Sequence, residues 1–153
     1  MKTYVTTAYF ALSFYVFGCL AIENDVNYAT WYQLSAGCFH SYHQVLESFL
    51  RLFMFTPMGL QLLVNGLLLW RHPANLPRWT LVVTFLLNGY IIAESLLIQV
   101  PVHQALEEQF STALLDQLLL RHRTLRLPAE LLVAGLNGWL LHRVIHASSV
   151  TSR

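Results

Sequence analysis

Two long stretches of the chain carry no charged residue, and this feature restricts the possible folds more than any other. Residues 4–22 and 52–70 are uncharged and predominantly apolar, and each approaches the roughly 20 residues that a helix needs to cross a bilayer. Hydrophobic residues make up 56% of the chain and charged residues 11%, against about 25% charged in ordinary soluble domains. A soluble protein of this length could not bury so much apolar surface, so the sequence predicts an integral membrane protein.

Two further apolar stretches bring the number of predicted spans to four. Residues 79–100 contain one charge, Glu94, and residues 125–141 contain one acid, Glu130. The predicted fold is all-α: a polytopic membrane protein built as a four-transmembrane-helix bundle. It forms a single transmembrane domain over residues 1–153.

The segments between the spans have a different pattern. Residues 30–49 mix aromatic and polar side chains, and residues 102–122 place leucines and a phenylalanine at helical steps. Such patterns are typical of amphipathic helices, which lie at a membrane interface or pack over the mouth of a bundle. We therefore expect one or two interfacial helices on the outer side.

The distribution of basic residues predicts the orientation. One side of the predicted membrane carries Lys2, Arg71, Arg78, Arg143 and Arg153 and no acid. The other side carries Arg51, Arg121, Arg123 and Arg126 together with six acids. The positive-inside rule predicts that the termini lie in the cytoplasm. We expect the protein to lie in the cell (inner) membrane. The formal net charge of +1 gives no reason to expect nucleic-acid binding.

Ionisable groups inside a span are costly, so they point to function. Glu94 and Glu130 are the two such carboxyl groups, and at about 1.5 Å of rise per residue both lie at a similar depth below the outer boundary. We expect them to act as a catalytic acid and base, because neighbouring buried carboxyls suit general acid–base work.

Amide side chains extend this polar surface. Gln61 and Asn65 lie four residues apart in the second span, Gln99 lies in the third, and Asn137 follows Glu130 by seven in the fourth. They are predicted to bind substrate, and the alternative is that they join helices by hydrogen bonds.

A second constellation is predicted above the carboxyls, at the outer mouth. Its candidate metal ligands are His40, His43, Glu47, His103 and Glu107. Imidazoles and carboxylates three or four residues apart on two helices are how bundles hold a divalent metal. His43 and His103 are also candidate catalytic residues or axial haem ligands, with Arg51 and Arg123 binding the substrate's negative charge. A hydrogen-bonded cap without a cofactor is the alternative.

Three short motifs carry a resemblance to a known family. They are Tyr42-His43, the run Gln99-Val100-Pro101-Val102-His103, and Arg123-Thr124 leading into the fourth span. Together they resemble the anthrone-oxygenase-like group of small four-helix membrane proteins, over about a third of the chain. The resemblance implies a membrane-embedded enzyme or binding protein for a lipophilic small molecule.

The leading functional hypothesis is therefore a membrane enzyme that acts on a lipophilic molecule from the outer leaflet. A proton-coupled transporter subunit is the second hypothesis, and it requires a homo-oligomer because four spans are few for alternating access. A non-catalytic or haem-binding subunit of a larger membrane complex is the third. Cys19 and Cys38 form a disulfide only if both face an oxidising side, and two free thiols are the alternative.

Overall fold

Four long helices make up the described part of the protein. The computed structural model describes residues 2–71, 73 and 76–151, with side chains for residues 4–71, 73 and 76–146. Within these ranges the chain is helical apart from short connections, and it contains no β-strand. The predicted all-α fold is confirmed. We number the helices α1 to α4 in chain order.

The first two helices each consist of two α-helical segments joined by a π-helical turn. Helix α1 comprises Lys2–Ala21, the π turn Ile22–Asn27, and Tyr28–Trp31. Helix α2 comprises Ala36–Leu50, the π turn Arg51–Phe55, and Thr56–Arg71.

The last two helices repeat this plan. Helix α3 comprises Arg78–Glu94, the π turn Ser95–Gln99, and Val100–Glu108. Helix α4 comprises Thr112–Arg121, the π turn His122–Arg126, and Leu127–Thr151. π turns are rare and are enriched at functional sites. The layer of the molecule that contains the four π turns is therefore a candidate position for a functional site.

Prolines explain three of the four π turns. In α2, α3 and α4 a proline follows the π turn by two residues, at Pro57, Pro101 and Pro128. A proline has no N–H to donate, and its ring clashes with the carbonyl of the residue four positions earlier. Those carbonyls belong to Phe53, Leu97 and Thr124, all within the π turns. The wider turn accommodates the ring, so each helix continues through its proline.

Side chains donate hydrogen bonds to backbone carbonyls at the π turns. Tyr15 of α1 donates its hydroxyl to the Phe53 carbonyl at 3.0 Å, and Tyr90 of α3 donates to the Leu125 carbonyl at 3.2 Å. In α1, which has no such proline, the Asn24 amide donates to the Leu20 carbonyl at 2.6 Å. A side chain that inserts into the helical ladder in this way opens the turn.

The predicted interfacial segments are parts of the long helices. Most of residues 30–49 form the first half of α2, and residues 102–122 are shared between the end of α3 and the start of α4. The third span was expected to close at Pro101, but α3 continues to Glu108. The sequence interpretation treated the proline as a helix end, whereas the π turn allows the helix to pass it.

Three apolar clusters stack along the helices. The cluster near the chain termini contains Tyr9, Phe10, Leu68, Leu76, Leu81 and Leu140. The central cluster contains Val16, Leu20, Met54, Met58, Ile91, Ala129 and Val133. The cluster beyond the π turns contains Tyr28, Trp31, Phe39, Val102, Leu106, Leu115 and Leu118. Buried polar side chains occupy the two spaces between these clusters.

The helices pack in a ring and have an apolar outer surface. Helix α1 contacts α2 and α4, and α3 contacts α2 and α4. Within the described residues three helices are long and apolar enough to cross a membrane: Tyr4–Trp31, Ala36–Arg71 and Arg78–Glu108. Helix α4, which contains the predicted span 125–141, is not among them. Cys19 and Cys38 are free thiols.

A polar layer separates the terminal cluster from the central one. The Tyr9 hydroxyl donates to Asn137 Oδ1 at 2.6 Å and lies 3.1 Å from Thr84 Oγ1, which also lies 3.1 Å from the Asn65 amide. The Gln61 amide donates to Ser13 and Asn88 at 3.2 and 3.4 Å. These bonds join all four helices, as buried amides do in membrane bundles.

The Tyr9→Phe substitution tests this layer. It removes one hydroxyl and leaves Asn137 Oδ1 without its donor, so the free energy of unfolding should fall by about 1–2 kcal/mol. The measurement is equilibrium unfolding in mixed detergent micelles. The control is Tyr4→Phe, because the Tyr4 side chain is 80% exposed. Equal effects of the two substitutions would show that the layer contributes nothing specific.

Candidate functional site

The π turns gather buried polar side chains at one level of the ring. Six of these side chains lie within the turns and are at most 3% exposed: Glu23, Asn24, Ser95, Gln99, His122 and Arg126. A π turn widens the helix and shifts the register of the side chains that follow it. Polar residues that would not share a face on a regular α-helix are thereby directed inward together.

A cavity of about 470 Å³ lies beside these turns, mainly between α2 and α3. Its apolar wall consists of Leu50, Met54, Phe55, Gly59, Ile92, Leu96 and Val100. Its polar wall consists of Glu23, Tyr28, His43, Glu47, Arg51, Ser95, Gln99, His103, Gln104, Glu107 and Arg126. A cavity of this size, with an apolar wall facing convergent polar groups, is typical of a small-molecule site.

Four of the polar side chains form a continuous hydrogen-bonded chain, which we call the relay. Glu107 Oε1 lies 2.8 Å from His43 Nδ1, and His43 Nε2 lies 3.1 Å from His103 Nδ1. His103 Nε2 lies 3.2 Å from the Tyr28 hydroxyl. The relay connects a carboxyl that is 26% exposed with a phenol that is 1% exposed.

The donors and acceptors of the relay are mutually consistent. When Glu107 is a carboxylate it can only accept, so His43 carries its proton on Nδ1 and presents a lone pair at Nε2. His103 then donates from Nδ1, and its own Nε2 accepts from the Tyr28 hydroxyl. Shifting every proton by one bond gives a second consistent state in which Glu107 is protonated. The relay can therefore transfer a proton along its length with fixed heavy atoms.

Aromatic rings shield the two imidazoles. The Trp31 ring is fully buried and lies edge-on to His43 and His103, with centroids 5.3 and 5.2 Å apart. The Phe39 ring stacks on His43 at 5.2 Å. Excluding water from a hydrogen-bonded chain lowers the local dielectric and strengthens its bonds. The cage also restricts the imidazoles to orientations that keep the relay connected.

Arg126 on the cavity floor belongs to a buried ion pair, and a further carboxyl, Glu23, lines the cavity beside it. Arg126 Nε donates to Glu130 Oε1 at 2.8 Å, and both side chains are 2% exposed. Glu23, from α1, accepts a short hydrogen bond from Asn27. The charge of Arg126 also acts on Glu23 and Glu94. Arg126 is thus hydrogen-bonded to one buried carboxyl, on α4, and its charge attracts two more, on α1 and α3.

A second pocket, of about 400 Å³, lies between α1 and α4. It is lined by Asn24, Asp25, Ala29, Tyr32, Gln33, Leu119, His122, Arg123 and Leu127. Burial, and then the neighbouring charge of Arg126, lower the pKa of His122 to about 4. His122 is therefore a neutral imidazole at physiological pH.

The predicted acid–base pair lies behind the cavity wall. Glu94 accepts from the Gln99 amide at 2.5 Å, and Glu130 pairs with Arg126. Gln99 and Arg126 line the cavity, but Glu94 and Glu130 are not among its lining residues. In the described part of the chain, the two carboxyls position residues of the wall and do not face the cavity.

Three predicted substrate-binding amides lie elsewhere. Gln61, Asn65 and Asn137 belong to the polar layer near the chain termini and do not line the cavity. The alternative interpretation, hydrogen bonding between helices, is the one that the structure favours. Of the predicted binding arginines, Arg51 lines the cavity and Arg123 lines the second pocket.

The predicted metal ligands have partners of their own. His40 bonds to Gln44 at 3.0 Å, Glu47 pairs with Arg51 at 2.6 Å, and His43 bonds to both Glu107 and His103. No three His, Cys, Asp or Glu side chains in the described ranges are grouped to hold a metal ion.

A haem between His43 and His103 does not fit this geometry. Axial ligands stand on opposite faces of a porphyrin, and ring nitrogens 3.1 Å apart leave no room for one.

Sequence reasoning missed five polar residues of the cavity wall, among them Glu23, Tyr28 and Arg126. Glu23 and Arg126 were treated as charges that flank the spans, and Tyr28 was not considered. One signal was present, because Arg126 and Glu130 have the i, i+4 spacing of a helical ion pair. No comparable signal identified Glu23, since its inward direction depends on the π turn.

Comparison with known proteins found no relative: no family model, no curated protein and no solved structure matches this chain. The resemblance to anthrone-oxygenase-like proteins therefore remains an expectation. Of the residues that carry it, Gln99, Val100 and His103 line the cavity, as does His43.

The relay predicts an unusual tautomer for two histidines. At neutral pH both His43 and His103 should carry their proton on Nδ1, because each Nε2 accepts a hydrogen bond. The measurement is ¹⁵N NMR of histidine-labelled protein, with signals assigned by His43→Gln and His103→Gln variants. An Nε2–H tautomer at either residue would contradict the proposed direction of the bonds.

Proposed function

We propose that the protein is a membrane-embedded enzyme that transfers a proton on a lipophilic small molecule bound in the cavity. The observation that carries this proposal is the relay from Glu107 through His43 and His103 to Tyr28. A structural cap needs hydrogen bonds, but it does not need an unbroken line of titratable groups that leads from a partly exposed carboxyl to a buried phenol on a cavity wall.

The relay supplies a base at the Tyr28 oxygen. As the Tyr28 oxygen takes a proton from the substrate, its own proton passes to His103 Nε2. The Nδ1 proton of His103 moves to His43, and the Nδ1 proton of His43 moves to Glu107. Every group gives one proton and receives one, except that the substrate loses a proton and Glu107 gains it. Positioned acid–base groups of this kind contribute about 10²- to 10⁴-fold to a rate.

The conjugate base of the substrate needs a stabilising charge, and Arg126 provides it. The Arg126 side chain is 2% exposed, so its field acts in a site from which water is largely excluded. A lipophilic carbonyl compound with an acidic C–H bond suits this arrangement, because the enolate oxygen carries the negative charge that Arg126 attracts.

The cavity wall favours a lipophilic substrate. Apolar side chains of α2 and α3 form one side of the cavity, and Leu96 on this wall is itself 52% exposed on the outer surface. If the ring of helices lies in a bilayer, an apolar molecule reaches the cavity between α2 and α3 directly from the lipid.

The test of this function is hydrogen exchange on carbon. Protein in lipid nanodiscs in D₂O should accelerate deuterium incorporation into lipophilic ketones such as 2-tetralone, measured by mass spectrometry. Glu107→Gln removes the terminal acceptor of the relay and should lower the exchange rate by about 10²- to 10⁴-fold. Glu108→Gln is the matched control, because its carboxyl is exposed and adjacent in sequence.

Two results would contradict the proposal. One is exchange by the wild-type protein at the rate of empty nanodiscs across the ketone series. The other is an equal rate for Glu107→Gln and Glu108→Gln.

We further propose that all four helices cross the membrane, with the termini in the cytoplasm. The support for a fourth span is the apolar outer face of α4. Its large exposed side chains include Leu131, Leu132, Trp139 and Ile145, at 41–59% exposure. A contiguous apolar surface of this kind on all sides of a helical ring is expected where lipid surrounds it.

Cysteine labelling distinguishes three spans from four. In a background without Cys19 and Cys38, Gln109→Cys and Ser149→Cys should react with a membrane-impermeant maleimide from opposite sides of sealed vesicles. Reaction of both from the same side would show that α4 does not cross.

A further inference from the structure

Three buried polar atoms on the cavity wall have no hydrogen-bond partner among the described residues. They are Glu23 Oε1, Gln99 Oε1 and Arg126 Nη2. Their side chains are 2%, 3% and 1% exposed and come from α1, α3 and α4. Buried polar groups are nearly always paired, and each unpaired one costs about 1–3 kcal/mol. Three on one wall indicate a position that a ligand group occupies.

The three atoms define the hydrogen bonding of that group. Arg126 Nη2 is a donor, so the ligand must present an acceptor to it. The Gln99 carbonyl oxygen accepts, as does a carboxylate oxygen of Glu23, so the ligand must also present a donor. A hydroxyl group does both with a single oxygen, whereas an ether or a ketone only accepts.

The local charges disfavour a ligand that is ionic when it binds, whereas the proposed enolate carries its charge only during the reaction. An anion would lie beside Glu23 and would be repelled by its carboxylate. The charge of Arg126 is already balanced in part by Glu130, with which it is paired at 2.8 Å. A cation would lie against the buried guanidinium. A neutral hydroxyl avoids both repulsions, and the apolar wall of α2 and α3 accommodates the rest of the molecule.

We infer that the cavity binds a neutral lipophilic alcohol or phenol, whose hydroxyl accepts a hydrogen bond from Arg126 and donates one to Glu23. This inference rests on the proposed function in treating the cavity as the substrate site, and it makes the hydroxyl compound, or the enol of a ketone, the substrate class. Tyr28 and His103 line the same cavity, so a hydroxyl held by Arg126 and Glu23 lies in the compartment where the relay ends.

The test compares ligands that share one apolar body. The probes are 4-octylphenol, 4-octylanisole, octylbenzene and 4-octylbenzoate, titrated against the full chain in nanodiscs with empty nanodiscs subtracted. The phenol should bind at least about tenfold more tightly than the anisole and octylbenzene, because only the phenol satisfies donor and acceptor together. 1-Decanol tests whether the preference extends from phenols to alcohols.

A variant assigns the preference to the site. Glu23→Met removes the acceptor while keeping a side chain of similar length, so the phenol should lose its advantage while octylbenzene binds as before. Unchanged octylbenzene binding also shows that the variant is folded. Asp25→Asn removes a carboxyl from the same π turn at an exposed position and should keep the preference.

Several outcomes would overturn the inference. Equal affinity for the three neutral aromatic probes would mean that water alone satisfies the three atoms. Tighter binding of the benzoate would make this an anion site, and a preference that survives Glu23→Met undiminished would show that Glu23 is not the acceptor of the hydroxyl's hydrogen bond. Binding and exchange can fail separately. A phenol preference without ketone exchange refutes only the proposed enzyme, whereas exchange without the preference refutes only this inference.

Discussion

The clash between a proline ring and the carbonyl four residues earlier is the constraint on which the structure depends. In a regular helix it would end or kink α2, α3 and α4 at Pro57, Pro101 and Pro128. Each helix instead widens into a π turn before its proline and continues. Four long helices then run past one level at which backbone carbonyls are freed and side-chain register is shifted. The apolar clusters lie above and below this level, and the buried charges lie within it.

The site follows from that shift in register. A ring of regular helices with continuous apolar seams would fill its interior with side chains. Here the π turns direct Glu23, Gln99 and Arg126 inward, beside a cavity of about 470 Å³. On the side of the π turns away from the chain termini, His43 of α2 then lies against His103 of α3. A polar floor, an apolar side wall and a hydrogen-bonded relay thus meet in one compartment, which is the combination that proton transfer on a lipophilic molecule requires.

Sequence reasoning works where a single physical signal suffices. Uncharged apolar stretches predicted the helices, and helical spacing in α2 and α3 predicted that His43, His103 and Glu107 lie together, as their hydrogen bonds show. It fails where the position of a side chain depends on the packing of two helices or on an irregular turn. Gln61, Asn65 and Asn137 were placed with the glutamates from their spacing along single helices, and they lie one polar layer away. Glu23 and Arg126 were read as flanking charges, and Pro101 as a helix end, because the sequence pattern does not reveal the π turns.

The most direct test of the account is a double-mutant cycle across the relay, with Tyr28→Phe and Glu107→Gln measured singly and together for ketone hydrogen exchange. Residues that act as one unit have strongly non-additive effects, so the double variant should be about as slow as the slower single variant. If the two rate losses multiply instead, Tyr28 and Glu107 act independently and the relay does not operate. Stability of all three variants, measured alongside, separates loss of proton transfer from loss of fold.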